Sequence, residues 1–346
     1  MTDSGPRTPD VLVVDDLACE IDTPLGRIRP VDHISFSLPR GKTLGIVGES
    51  GAGKSMLAKA LMGLAPRNAT VTGSVLLDGR DITKLPKKEH RAQLGAGIAL
   101  VFQDSATALN PVVPVGRQIT EGMRFHRGLS RDEARDRAVE LLTQVGISDP
   151  ALRLKHYPHQ LSGGMRQRVT IAIALACDPL VLIADEATTA LDVTVQKQIL
   201  DLLQQVQEER HMAMMIITHD LGVVAGRTDD MAVMYAGQIV ERGPTPELIR
   251  DHRHRYTSAL LSSTPTLELK PHTPLATIQG VPPRLAGLPP GCRFAPRCSA
   301  ATPECDAADP VLVEDNPGHD YKCIWPVRDQ NTDPLVGRAS TSGGRS

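Results

Sequence analysis

A chain of 346 residues, 41% apolar and 23% charged, is long enough to bury a full core and is expected to hold two structural units. Its formal net charge of −2 supplies no global field for nucleic acid or anionic lipid. The N-terminus lacks the charged-then-apolar layout of a signal peptide. The most apolar stretch, residues 170–184, is broken by Asp178-Pro179, so no segment is expected to span a bilayer.

Residues 1–9 read as a disordered polar lead-in. From Pro9 to Pro39, short β-type runs (Val11–Val14, His33–Leu38) alternate with turn residues and predict an antiparallel sheet. Thr43–Val47 is an apolar run of buried-strand type, and Met56–Met62 is built mostly of strong helix formers. Between them lies Gly48-Glu49-Ser50-Gly51-Ala52-Gly53-Lys54-Ser55. Its glycines let the backbone wrap tightly, so that successive N–H groups face an anion. The following helix adds its positive end. Lys54 can reach the β- and γ-phosphates of a nucleotide, and the Ser55 hydroxyl can ligate Mg²⁺. The stretch predicts binding of ATP or GTP.

Thr72–Arg80 reads as a strand entering a turn, and Gly97–Phe102 as another apolar run that ends at Gln103. Between Asp104 and Gln160 the pattern turns helical. Ser130 with Glu133 resembles a capping box. It opens a helix whose Ala134, Ala138, Leu141, Leu142 and Val145 share one face. Ser162, Gly163 and Gly164 precede an apolar helix, Val169–Ala176. They form either a plain helix cap or a second anion site. Leu180–Ala184 has the unbroken apolarity of a strand covered on both faces, and it ends in Asp185-Glu186. In α/β sheets that edge holds ligands. Asp185 is placed to hold Mg²⁺ and Glu186 to polarise an attacking water. Leu191, Val195, Ile199, Leu202 and Val206 predict an amphipathic helix, and Met214–Thr218 and Met231–Tyr235 further strands. Strands alternating with helices predict an α/β fold with a mainly parallel sheet.

After about Leu261 proline becomes frequent, helical periodicity vanishes and four of the six cysteines gather. Residues 261–331 are expected to form the second unit. Residues 332–346, polar and rich in Gly and Ser, are expected to be disordered.

The string Leu161-Ser162-Gly163-Gly164-Met165-Arg166-Gln167-Arg168 resembles the signature motif of ABC transporter ATP-binding subunits. The family's other motifs follow in order. Gln103 matches the Q-loop, Ala190-Leu191-Asp192 the D-loop and His219 the switch histidine. The resemblance covers residues 10–260. It implies a P-loop NTPase of ABC type with a mainly parallel core sheet, an antiparallel β subdomain and a helical signature subdomain at about 104–165. It also implies ATP as nucleotide, with Ser55, Gln103 and Asp185 at Mg²⁺ and Glu186, His219 and Gln103 in catalysis. Residues 48–55, Ser162, Gly163, Gly164 and Asp192 would touch nucleotide. Farther on, Val233–Gly243, Ile278–Pro283, Leu288–Cys298 and Pro317–Cys323 are similar to the C-terminal extension of the oligopeptide/dipeptide importer ATPases, in particular the D-type subunit. Three positions depart from the family pattern. Ile21 stands where an adenine-stacking aromatic is usual, Ala187 where proline is common, and Arg255 where His-Pro-Tyr is usual.

The resemblance implies an ATP-hydrolysing, energy-coupling subunit of an importer for peptides or a related small solute. Its partners would be a homologous F-type ATPase subunit, two integral membrane permease subunits and an extracytoplasmic solute-binding protein. It would lie peripherally on the cytoplasmic face of the bacterial cell membrane, with no nucleic-acid partner. A soluble ABC ATPase acting on ribosomes or nucleic acid, or an exporter ATPase, is the alternative. Cys19 and Cys177 are isolated and read as buried small apolar residues. Cys292, Cys298, Cys305 and Cys323 are separated by gaps of five, six and seventeen residues, unlike the short pairs of structural zinc sites. In a reducing compartment disulfides are disfavoured. Four thiolates suit a [4Fe–4S] cluster, with zinc as the alternative, and the resemblance points the same way.

Overall fold

The computed structural model describes residues 9–24, 26–188, 192–264 and 277–328. The disorder expected for residues 1–8 and 332–346, and the D-loop residues Ala190 and Leu191, lie outside them.

Two long strands open the chain, β1 (Asp10–Thr23) and β2 (Gly26–Pro39). They pair antiparallel from Asp10–Pro39 to Thr23–Gly26, as their turn-punctuated β runs predict. The apolar run after them is β3 (Thr43–Val47), buried along its whole length, and the helix formers make α1 (Lys54–Leu61). Next come β4 (Ala69–Leu77), β5 (Arg80–Asp81), α2 (Lys87–Gln93) and β6 (Ile98–Val101). A run of helices follows: α3 (Ser105–Ala108), α4 (Val115–His126), α5 (Arg131–Gln144), α6 (Pro150–Arg153) and α7 (Gly163–Leu175). The capping box forms at α5, with Ser130 Oγ taking the Glu133 N–H and Glu133 Oε2 taking the Ser130 N–H. Ala134, Ala138, Leu141 and Leu142 are its buried face.

The second half alternates as expected: β7 (Val181–Asp185), α8 (Val193–Arg210), β8 (Ala213–Thr218), α9 (Leu221–Val224) and β9 (Asp230–Tyr235). Beyond these lie β10 (Gln238–Pro244), α10 (Thr245–Arg250), α11 (Arg255–Ser263), α12 (Pro303–Ala307), β11 (Val313–Asn316) and β12 (His319–Tyr321).

Two sheets result. The smaller, in the order β2-β1-β4-β5, is antiparallel. The larger runs β11-β12-β10-β9-β3-β8-β7-β6. Its five strands from β9 to β6 are parallel, so the C-terminal ends of β3, β6, β7 and β8 all face one edge. Strands β10, β12 and β11 extend it antiparallel. One apolar core joins α4, α5, α7 and α8 to one face of this sheet, and a second joins the other face to α1 and the small sheet.

The tail does not sit apart as a unit with its own core. Its Phe294 is buried against Tyr235, Tyr256 and Leu260 in a third core cluster. Strand β12 pairs directly with β10. The cysteine-bearing segment is thus laid against the nucleotide-binding half of the chain.

Candidate active site

The phosphate-loop stretch folds as its glycines require. Gly53 has φ +106, and a Cβ there would lie 2.0 Å from the Pro30 carbonyl oxygen. A Cβ at Gly48 would lie 2.2 Å from that of Met234. No L side chain fits either place. The loop runs from the end of β3 into α1, and Lys54 is buried at its turn. Its Nζ donates to the carbonyl oxygens of Gly48 (2.7 Å) and Glu49 (3.0 Å), and lies 3.8 Å from Glu186 Oε1. Burial lowers the Lys54 pKa, and the carboxylates of Glu186, Asp185 and Glu49 oppose that.

The predicted acidic pair closes the same edge. Ser55 Oγ donates to Asp185 Oδ1 at 3.0 Å, so the two oxygens assigned to Mg²⁺ are already together. Burial raises the Asp185 pKa, against the pull of the Ser55 hydrogen bond. Glu186 follows β7 at φ 44, a left-handed conformation that costs a non-glycine residue free energy. Its N–H holds the Ile217 carbonyl at 2.9 Å, which fixes the turn. Gln103 Nε2 reaches Glu186 Oε2 at 2.7 Å, and His219 Nδ1 lies 3.3 Å from Glu186 Oε1. Four strand ends therefore bring Lys54, Ser55, Asp185, Glu186, Gln103 and His219 into one polar network. A lysine, a hydroxyl–carboxylate pair and an oriented carboxylate suit binding and hydrolysis of a nucleoside triphosphate.

Other expected residues lie elsewhere. Ser162 caps α7, its Oγ taking the Met165 N–H, and Ser162 and Gly163 are exposed. Asp192 caps α8 in the same way through Val195 N–H at 3.0 Å. A Cβ at Gly164 would press on Val195 at 3.2 Å, so the two helix starts are neighbours. Both caps bond to their own helices rather than to the Lys54 network. Ile21 is buried in the core between β2 and β4, where it presents no surface for stacking.

The phosphate loop holds two surprises. The Glu49 N–H does not join an inward-facing cradle, because it donates to the Tyr256 hydroxyl at 2.8 Å. The Glu49 side chain is gripped by Arg297, Nη1 to Oε2 at 2.6 Å and Nη2 to Oε1 at 3.0 Å. Neither partner carries a local signal, since each meets Glu49 only through the fold.

The four clustered thiols, none in a disulfide, line one cavity with Phe294, Ile324 and Trp325. Burial pushes the Cys323 thiol up to about 11 and also raises Cys292 and Cys298. Among the described residues no three His, Cys, Asp or Glu side chains are grouped so as to hold a single metal ion. Cys19 and Cys177 are buried in the two main cores.

Fold and network together define a P-loop ATPase with an added helical subdomain. The ABC transporter family matches residues 31–189, and the oligopeptide/dipeptide transporter C-terminal region matches residues 240–305. The oligopeptide transport ATP-binding protein OppD of Bacillus subtilis is 48% identical over 81% of this chain and 78% of its own length. The dipeptide transport ATP-binding protein DppD of Escherichia coli K12 is 47% identical over 79% and 84%. A dimeric ATP-binding cassette solved after hydrolysis with ADP and phosphate superposes with a TM-score of 0.61. It is 28% identical and covers 68% of this chain and 98% of its own. CbiO1 of Clostridium perfringens, part of an ABC transporter complex, gives 0.59 at 30% identity over 70% and 91%. The chain belongs to the ATP-binding subunits of ABC transporters, in the oligopeptide/dipeptide branch. These subunits hydrolyse ATP to power transport. Among the described residues no helix is long and apolar enough to cross a membrane.

Proposed function

We propose that this chain is the energy-coupling ATPase of a peptide importer, or of an importer for a related small solute. It works peripherally on the cytoplasmic face of the membrane. The observation that carries the chemistry is the network in which Gln103 and His219 both hold Glu186 beside Lys54. The substrate class is supported by the tail and by the peptide-transport names of the relatives. The alternatives, a soluble ATPase on ribosomes or nucleic acid and an exporter ATPase, have no such support.

In this reading Lys54 binds the β- and γ-phosphates and the loop at 48–55 wraps them. Ser55, Asp185 and Gln103 would hold Mg²⁺, which would neutralise phosphate charge. The donor set fits, because the first two supply paired oxygens and an amide oxygen completes them. Glu186 polarises the attacking water, and His219 and Gln103 hold its carboxylate in place. Ser162 and Gly163, with Gly164 half-buried behind them and Asp192 alongside, form helix starts that would cap the nucleotide of a partner ATPase. The partner is a homologous F-type subunit, and two permease subunits and a solute-binding protein complete the assembly.

The test is Glu186→Gln. It keeps the shape but removes the charge, and should slow hydrolysis by ~10²–10⁴. Mg-ATP should stay bound and hold the two ATPase subunits together in sedimentation. Wild-type turnover would sink the assignment of Glu186. Lys54→Ala should instead weaken nucleotide binding itself.

The cysteine-lined cavity supports a cofactor reading. Cys292, Cys298, Cys305 and Cys323 would hold a [4Fe–4S] cluster, which supplies four metal–thiolate links that staple the tail. What supports this reading is that all four thiols line one cavity; zinc, the alternative, would use the same four.

A further inference from the structure

The loop from Cys292 to Cys298 carries two arginines, and both reach the nucleotide-binding half of the chain. Arg293 Nη1 donates to the Ala236 carbonyl at 2.5 Å, and its other nitrogen pairs with Asp32. The next residue, Gly237, donates its N–H to Ala52 of the phosphate loop at 2.8 Å. Arg297 goes to the phosphate loop itself, through the bidentate pair with Glu49. Its side chain is 4% exposed and that of Glu49 25%. Its Nε donates to the Gln279 carbonyl at 2.9 Å, and the guanidinium lies over the Tyr235 ring.

The mount is stiff. A single turn over Ala295–Arg297 spans the two cysteines, and the Cys292 N–H bonds the Cys305 carbonyl at 2.7 Å. Phe294 packs on Tyr235 and Tyr256 with ring centroids 5.3 Å away in each case. Tyr256 in turn takes the Glu49 N–H. Backbone and side chain of Glu49 are thus held by two elements far along the chain.

A glutamate in a phosphate loop is an electrostatic liability, because a carboxylate beside a polyphosphate repels it. Fully paired in a fork of two hydrogen bonds, that charge is neutralised. Left alone, it is an uncompensated charge in a half-buried place. We propose that Arg297 is a positioning residue for ATP, which neutralises Glu49 and, through the cysteine-bearing loop that mounts it, makes the tail part of the nucleotide site. The proposal rests on the phosphate loop being the ATP site.

The experiment measures Mg-ATP dissociation constants on the full chain by calorimetry, with thermal unfolding run alongside. Arg297→Ala should weaken binding about tenfold. Arg297→Lys, which keeps the charge and loses the fork, should fall between. The double variant Glu49→Gln/Arg297→Ala should recover most of the lost affinity, because the carboxylate is gone. Damage to the tail alone would leave the double variant as weak as the single one, and that result overturns the proposal. So does an Arg297→Ala protein that binds like wild type. A wild-type chain without affinity for Mg-ATP, or Lys54→Ala with full affinity, would instead overturn the assignment of the ATP site.

Discussion

Asp32 shows how much of this molecule rests on single charges far apart in sequence. Its carboxylate is almost wholly enclosed, paired with Arg29 at 2.8 Å and with Arg293 of the tail, and takes the Gln238 amide at 3.2 Å. Burial raises its pKa, but the guanidinium of Arg29 and the charge of Arg293 outweigh that and hold it below the usual carboxylate range. A depressed carboxylate pKa means stability that is present above the unfolded value of ~3.9 and lost as pH falls through the folded one. Asp32→Asn should therefore cost about 3 kcal/mol at neutral pH, read as a lower melting temperature. The gap to wild type should narrow as pH falls below about 4, where Asp32 of the unfolded chain takes up a proton while that of the folded chain still resists it. An unchanged gap at pH 3 and pH 7 would refute the assignment. Of its partners only Arg29 is near in sequence; Arg293 and Gln238 are brought by the fold. Lys54, Ser55, Asp185 and Glu186 were legible because their motifs are local. Arg293, Arg297 and Tyr256 were not, because only the fold brings them to their partners.

Elements divided along the same line. Strands β3, β7, β8 and β9 were legible as unbroken apolar runs, and α5 as a capping box with an apolar face. Strand β10 was not, since Glu241 and Arg242 interrupt it. Glu241 is fully buried, and three partners make that tolerable: His319 Nε2 at 2.9 Å and the N–H groups of Arg253 (2.5 Å) and His254 (3.0 Å). Strand β12, which supplies His319, lies in the stretch that proline and cysteine marked as a separate unit. The cysteine loop is the element whose content is open to direct test. Anaerobically purified protein should be brown, with broad absorption near ~400 nm and bound iron and sulfide, all absent from Cys292→Ser. Colourless protein with one zinc per chain would overturn the cluster but keep the staple. Metal-free protein with an ordered tail would overturn both.

For the whole molecule, the expected boundary at about residue 261 divides a chain that packs as one. Phe294 fills the core beside Tyr235 and Tyr256, and β12 covers the free side of β10. A chain ending at Thr264 should therefore expose an unpaired strand edge and leave Glu241 without His319. We expect it to aggregate, as read by light scattering. A soluble fragment with full-length affinity for Mg-ATP would refute this. The β10–β12 pairing also has a consequence in time. A ribosome releases this protein N-terminus first, so every hydrolytic motif has emerged while the strand that pairs with β10 is still being made. Until residues 319–321 are free, the nascent chain holds a sticky edge open to its neighbours on the same messenger. The order of synthesis thus leaves an interval, closed when β12 docks on β10, in which a chaperone would have a strand edge to shield.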